Sequence, residues 1–309
     1  MSQASVLSGV VPEQDKPKSS LLGLRRLLTT PALIFMIVVT QVPLLFTIAY
    51  SLQRWNLLRP QRRGFVGLDN FPRVLQEPSF LTIISNTLTL TLSVVILTLV
   101  LGMILALLLN RTFPGRGIIR TMLITPFLIM PTVSAVLWKN VLFNPAFGLI
   151  GSAFALAGLP RPDILAHEPM LAVIIIIVWE WTPFMMLILL AGLQSLDMER
   201  VEAAQIDGAD LSQIFRHIVI PHLRRYIELA VLMEMLFILS VFGEIFVTTT
   251  GGPGIQTTNL SFGIYIEAFQ RWDIGQASAM GIYAIILANV MLVVFIRVLR
   301  RGQEEGITT

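Results

Sequence analysis

Six separate stretches of this chain stay apolar long enough to make spanning helices, at residues 31–52, 83–109, 121–143, 170–193, 226–247 and 276–299. About 20 predominantly apolar residues cross the hydrocarbon core of a bilayer as a helix. In lipid every backbone N–H and C=O must find its partner inside the segment, which a helix alone achieves without closing a barrel. The expected fold is therefore all-α, an integral membrane, polytopic bundle of about six transmembrane helices. Composition agrees: 55% of residues are hydrophobic and 13% charged, with a mean hydropathy of +0.77, whereas soluble domains carry about 25% charged residues. The first run exceeds the roughly 7–15 residues of a cleaved signal's apolar core, so it is expected to remain as an anchor.

Lysine and arginine outside the spans set the orientation. With the N-terminus inside, fourteen fall on the cytoplasmic side: Lys16, Lys18, Arg25, Arg26, Arg111, Arg116, Arg120, Arg200, Arg216, Arg224, Arg225, Arg297, Arg300 and Arg301. Seven fall outside, namely Arg54, Arg59, Arg62, Arg63, Arg73, Arg161 and Arg271, and five of these crowd into the first external loop against the bias. Both termini are expected in the cytoplasm. Residues 1–29 form an N-terminal tail ending in the amphipathic "LLGLRRLL", residues 30–301 the membrane domain, and residues 302–309 a C-terminal tail. With a net charge of only +3 and no continuous basic stripe, nucleic acid is not an expected partner.

Sites for bond chemistry are missing from the pattern. A phosphate-binding loop needs Gly-x-x-x-x-Gly-Lys-Ser/Thr, yet the lysines are Lys16, Lys18 and Lys139, and none follows a glycine. Cysteine is absent, and His167, His217 and His222 are scattered without a zinc-binding HExxH pair. A Gly-x-Ser-x-Gly nucleophile turn is also missing. No catalytic residue, metal site or cofactor is expected in this chain.

One water-facing segment is punctuated with unusual care: "SLDMERVEAAQIDGADLSQIFRHIVIPHLRRY" from Ser195. Asp197 is placed to cap a helix through Glu202, and Gly208 to end it in the left-handed conformation. Asp210 with Gln213 three residues on forms a capping-box pair for a second helix, whose Leu211, Ile214, Phe215 and Ile218 fall on one apolar face. Pro221 is expected to break that helix before the fifth span. Taken alone, this is either a docking knob, with Ala203 and Ala204 permitting close approach, or an amphipathic linker on lipid headgroups.

"EAAQIDGAD" followed by "IVIP" resembles the EAA loop of bacterial ABC importer permeases, where Glu-Ala-Ala is followed by a glycine six residues after the glutamate and a proline thirteen further on, as in Glu202, Ala203, Ala204, Gly208 and Pro221. "FVGLDNFPRVL" and "TTTGGPGIQTTNL" resemble external segments of the carbohydrate-type (maltose-type) permeases. "TPFLIMPTVSAVLWKN", "LAHEPMLAVIIIIVWEWTPF" and "SVFGEIFVTTTGGPG" look like the sorbitol and mannitol polyol subgroup. The resemblance implies a type I ABC importer permease in the bacterial cytoplasmic (inner) membrane, with its coupling loop at 195–222. The ATPase-coupling residues would be Glu202, Ala203, Ala204, Asp207, Gly208, Ala209 and Pro221. It further implies a second homologous permease, two ATPase subunits that hold ATP and Mg, and an extracytoplasmic solute-binding protein, together importing a small carbohydrate.

Polar residues inside spans mark a solute path or a helix contact. The candidates are Lys139, Asn140, Trp179, Glu180, Trp181, Glu234, Glu244 and Asn289, with Trp-Glu-Trp combining aromatic faces and a hydrogen-bonding group as sugar sites do. Packing is the competing role for each of them. The competing function is a self-sufficient ion-coupled secondary transporter or channel in which Glu180, Glu234 and Glu244 relay ions.

Overall fold

The computed structural model describes the backbone of residues 19–304 and the side chains of residues 29–297. Most of the N-terminal tail, including the side chains of "LLGLRRLL", and the end of the C-terminal tail lie outside the described residues. The chain divides into two compact units, Met1–Ala49 and Tyr50–Thr309. The first contains nearly all of helix α1, Ser19–Ser51, which runs on through Pro31 and Pro43.

The second unit opens with a short antiparallel hairpin, β1 (Gln53–Arg54) and β2 (Gly64–Phe65), pairing Gln53 with Phe65 and Arg54 with Gly64. A short α2 (Asn70–Gln76) leads into the long α3 (Pro78–Leu109). Next come α4 (Arg116–Leu128), α5 (Pro131–Leu137) and a π-helical turn at Trp138–Leu142. After α6 (Leu149–Leu156) and α7 (Ile164–His167) runs α8 (Pro169–Gln194). The polar loop holds α9 (Met198–Ile206) and α10 (Leu211–Ile214), and a second π turn, Phe215–Val219, joins α10 to α11 (Ile220–Leu239). The chain ends with α12 (Gly243–Thr248), α13 (Leu260–Tyr265), a third π turn (Ile266–Gln270) and α14 (Ile274–Glu304).

Helix α8 is the hub, packed against α3, α4 and α11. Its Met185, Met186, Leu189, Leu190 and Leu193 are buried with Val95, Ala106 and Leu109 of α3 and with Leu223, Ala230, Val231 and Met235 of α11. Lipid is as apolar as leucine, so burial by itself does not drive helices together in a bilayer and close backbone approach matters more. Two glycines supply that approach. A Cβ at Gly102 would stand 2.8 Å from Met185 Cγ and 3.0 Å from the Met186 backbone nitrogen, and one at Gly192 would stand 2.7 Å from both Leu223 Cδ2 and Tyr226 Cγ.

Among the described residues, four helices are long and apolar enough to cross a membrane: Thr29–Ser51, Pro78–Leu109, Pro169–Gln194 and Ile274–Arg297. The expected third span is a bent pair, Arg116–Leu128 and Pro131–Leu142, turning by 102° at its break and making a fifth span if counted as one. Pro131 opens α5, where its missing N–H leaves no bond unmade, and the preceding Met130 is extended at φ −62° and ψ 136°, as a residue before proline prefers. The expected fifth span at 226–247 is also interrupted. Helix α11 starts earlier, at Ile220, ends at Leu239, and is followed by the separate α12. It carries Arg224, Arg225, Glu228 and Glu234 and is not among the four apolar helices. Pro183 lies inside an uninterrupted α8.

Candidate functional site

The polar loop between α8 and α11 is built largely as its sequence dictates. The Asp197 carboxylate accepts from the Glu199 backbone N–H at 3.1 Å and caps α9. Gly208 takes φ +85°, a conformation costly for residues with a Cβ, and so turns the chain sharply out of α9. Asp210 and Gln213 complete the capping box, each side chain accepting from the other's backbone N–H at 2.8 Å. In consequence α9 stands out with Glu202, Ala203, Gln205, Asp207 and Gly208 exposed, flanked by Ile206 at 86% and Leu211 at 77% exposure.

Three details differ from the sequence expectation. Ala204 and Ala209 turn inward with Val201 onto the core between α3, α8 and α11, so only Ala203 of the alanine pair faces outward. Three of the four residues of the apolar stripe turn inward, with Ile214 buried and Phe215 and Ile218 packed on that core, while Leu211 stays exposed. The stripe therefore anchors the loop, and the exposed apolar surface belongs to Met198, Ile206 and Leu211. Pro221 does not break the helix. The π turn at Phe215–Val219 absorbs one extra residue just before it, so α10 runs on into α11 with Pro221 in the first turn, where a missing N–H is harmless.

The base of the loop is tied by a network that sequence spacing did not reveal. Ser195 Oγ lies 3.0 Å from His222 Nε2 and 2.8 Å from the Tyr226 hydroxyl, and it donates to the Gly192 carbonyl at 2.8 Å. His222 Nε2 is also 3.0 Å from the Gly192 oxygen. The end of α8 and the start of α11 are thus fastened where Gly192 lets them meet. The three histidines divide: His167 and His217 bond carbonyls one turn back, at Asp163 and Gln213, while His222 joins two helices.

Inside the bundle the polar candidates gather in part. Glu180 of α8 and Glu244 of α12 are both buried and lie close enough to interact electrostatically. Lys139 donates to the Val247 carbonyl at 2.9 Å, holding the first π turn to the end of α12. Trp179 meets Trp138 edge to face at 5.7 Å. The buried Glu180 Oε2, Ser134 Oγ and Trp138 Nε1 have no hydrogen-bond partner among the described residues.

Trp181 points elsewhere, into Phe127, Phe184 and Phe237. Successive residues on a helix lie about 100° apart, so Trp179, Glu180 and Trp181 reach three different neighbours and do not form one surface. Glu234 is separate as well, accepting from Thr98 Oγ1 at 2.7 Å across α11 and α3. Among the described residues, Asn140 and Asn289 bond only to carbonyls one turn back, those of Val136 and Ile285, and are exposed.

Of the two segments expected outside, Phe65–Phe71 presents Phe65 and Leu68 to solvent. The glycine-rich loop 251–259 is packed closely against the bundle. Asn86 of α3 donates to its Ile255 and Thr258 carbonyls at 2.8 and 3.0 Å, and Asn259 donates to the Val241 carbonyl at 2.6 Å. Only Pro253, Gly254 and Gln256 of that loop remain exposed.

Known proteins resemble this chain in sequence and in fold. A probable ABC transporter permease of Sinorhizobium fredii is 38% identical over 265 residues, covering 85% of each chain. The trehalose/maltose transport system permease protein MalF of Thermococcus litoralis is 33% identical over 274 residues, 88% of this chain and 92% of that protein. The trehalose transport system permease protein SugA of Mycobacterium tuberculosis is 31% identical over 281 residues, 91% and 90% of the two. In fold, the chain superposes with a TM-score of 0.75 on a crystal structure of a bacterial ABC transporter involved in alginate import, at 24% identity over 91% of this chain and 96% of that one. These relatives are permease subunits, and this chain is likewise a transport subunit and not an enzyme. Residues 98–305 match the family described as the binding-protein-dependent transport system inner membrane component, and the chain belongs to that family.

Proposed function

We propose that this chain is a permease subunit of an ATP-driven importer for a sugar, with a sugar alcohol or sugar derivative as the finer reading. Its partners would be a second permease, two ATPase subunits that hold ATP and Mg, and an extracytoplasmic solute-binding protein. The loop at 195–222 is the coupling element and both termini are cytoplasmic. The observation that carries the reading is the knob itself. Helix α9 is capped at its start, ended by Gly208 at φ +85°, held beneath by Ala204 and Ile214, and crowned by the exposed Ile206 and Leu211. A rigid knob with an apolar tip and an outward Glu202 suits a groove on a soluble partner better than a headgroup surface, because no lysine or arginine follows Arg200 until Arg216.

In this mechanism, closure of the ATPases displaces α9. The displacement passes through Ala209 and the helical run from Leu211 to α11, while the Ser195–His222–Tyr226 ties carry it to α8. The cavity then opens to the other side by movement of packed helices. Solute would pass near Trp138, Trp179, Glu180 and Glu244, where buried hydrogen-bonding groups adjoin aromatic faces. The names of the curated relatives, two of which are trehalose systems, support a sugar as solute.

The test is co-purification with the partner subunits and solute-stimulated ATP hydrolysis over a panel of sugars and polyols. Stimulation by one of them supports the reading. Uptake by this chain alone under an ion gradient without ATP would establish the ion-coupled alternative instead.

A further inference from the structure

The five arginines that defy the charge bias in the first external loop are not dispersed over it. Arg54, Arg59, Arg62 and Arg73 line one hollow of about 280 Å3 together with Asn56 and Asp273. All four are exposed, and among the described residues none forms an ion pair, so Asp273 is the single carboxylate facing four guanidinium groups. That aspartate is itself occupied, accepting from the Gln276 backbone N–H at 3.0 Å at the start of α14.

The hollow is also firmly mounted. Leu57 N–H donates to the Trp272 carbonyl at 2.8 Å, Ile274 N–H donates to the Trp55 carbonyl at 2.9 Å, and Asn70 Nδ2 donates to the Ser51 and Gln53 carbonyls at 2.8 and 2.7 Å. Arg63 lies over the Trp55 ring at 4.0 Å and stiffens the hairpin. A force applied to this loop therefore reaches the first turn of α14.

We infer that this hollow is the docking site for an acidic surface of the soluble solute-binding protein, with carboxylates of that partner seated among Arg54, Arg59, Arg62 and Arg73. The inference rests on the reading of the chain as an importer permease whose first loop lies outside. Three observations favour a protein over a lipid headgroup. Every basic residue assigned to that side is arginine and none is lysine, and guanidinium is the group that grips carboxylates in bidentate fashion and is enriched in protein interfaces where lysine is depleted. Exposed Leu58, Phe65 and Leu68 belong to the same loop as the arginines, supplying the apolar part of such an interface. The stitching to α14 gives docking a route into the bundle, which a lipid site would not need.

The test titrates the importer's own solute-binding protein onto the complete complex in nanodiscs of zwitterionic lipid, at ionic strengths from about 0.05 to 0.5 M, a range over which screening becomes strong. Wild-type affinity is expected to fall with salt. Arg59→Glu and Arg62→Glu should each weaken binding by about tenfold or more and flatten the salt dependence, with Arg59→Lys in between because it keeps the charge and loses the fork. Insertion and thermal unfolding of each complex establish that it is folded. An acidic-to-lysine change on the partner should restore binding to Arg59→Glu. Variants that bind as wild type overturn the inference, as does a defect that appears only in nanodiscs containing anionic phosphatidylglycerol, which would assign the hollow to a headgroup. A wild-type importer indifferent to the binding protein would instead remove the underlying reading of the outer face.

Discussion

Gly208→Val tests the coupling loop at its turn. At φ +85° a residue with a side chain costs about 1–2 kcal/mol relative to glycine, and valine, stiff at χ1, has little freedom to relieve it. A Cβ built at Gly208 meets nothing within 4 Å, so the free permease adds no clash to that backbone cost. Nor can the turn relax freely. Gly208 N–H donates to Gln205 O at 3.1 Å, Ala209 N–H to Ala204 O at 2.9 Å, and the capping box holds the far side. The strain must therefore be met by tilting α9 against α10, which displaces the knob.

A cost of 1–2 kcal/mol corresponds to a factor of about 5–30 in an equilibrium, so association with the ATPase subunits should weaken by about that factor. The assay is ATPase affinity and solute-stimulated hydrolysis with the reconstituted, fully inserted permease. Gly208→Asn is the internal control, because asparagine tolerates the left-handed region; it should stay close to wild type. Glu202→Ala should act more mildly than Gly208→Val, by loss of a single polar contact. If Gly208→Val leaves both readouts intact, the loop is a linker and the reasoning fails. If valine and asparagine are equally harmful, the partner rejects any side chain there and the backbone argument fails.

Other positions give independent checks. Gly102→Leu should force α3 from α8 and cost about 1–3 kcal/mol, seen as a lower thermal midpoint in detergent, whereas Gly64→Ala, with nothing within 4 Å, should not move it. Thr98→Val strips Glu234 Oε1 of its 2.7 Å donor while Oε2 already lacks one, at a cost of about 1–3 kcal/mol that Thr98→Ser should largely avoid; equal stability of the two variants would refute the pairing. Tyr226→Phe and His222→Ala should lower solute-stimulated hydrolysis and transport together while ATPase binding stays near wild type, because they loosen the base of the knob and leave its tip. Trp179→Ala, Glu180→Gln, Trp181→Ala and Glu244→Gln, made singly, should include at least one change in transport rate or selectivity with assembly preserved, and four wild-type transporters would remove these residues from the path.

Features that depend on neighbours within one or two turns were legible in the chain itself. Apolar length announced the membrane helices at α3, α8 and α14, and Asp197, Gly208, Asp210 and Gln213 announced the caps of the loop, because a cap is a bond between residues two or three apart. The motif Glu202, Ala203, Ala204, Gly208 and Pro221 pointed to the family that the match over residues 98–305 bears out. Proline alone does not fix where a helix breaks: Pro131 stands at the bend of the third span, yet Pro183 lies inside an unbroken helix.

Tertiary structure alone decided which faces turn inward and which distant groups meet. Composition could not tell that Ala204 packs while Ala203 is exposed, or that three consecutive residues, Trp179, Glu180 and Trp181, part company around one helix. Glu180 finds Glu244, Glu234 finds Thr98, Ser195 finds Tyr226, and Arg54 faces the same hollow as Asp273, each across a long stretch of intervening chain. The physical reason is the range of the interactions. Hydropathy and capping are satisfied within a helix and so are written into neighbouring letters, whereas these contacts exist only after glycines such as Gly102 and Gly192 let separate helices close on one another, a geometry that no local pattern contains.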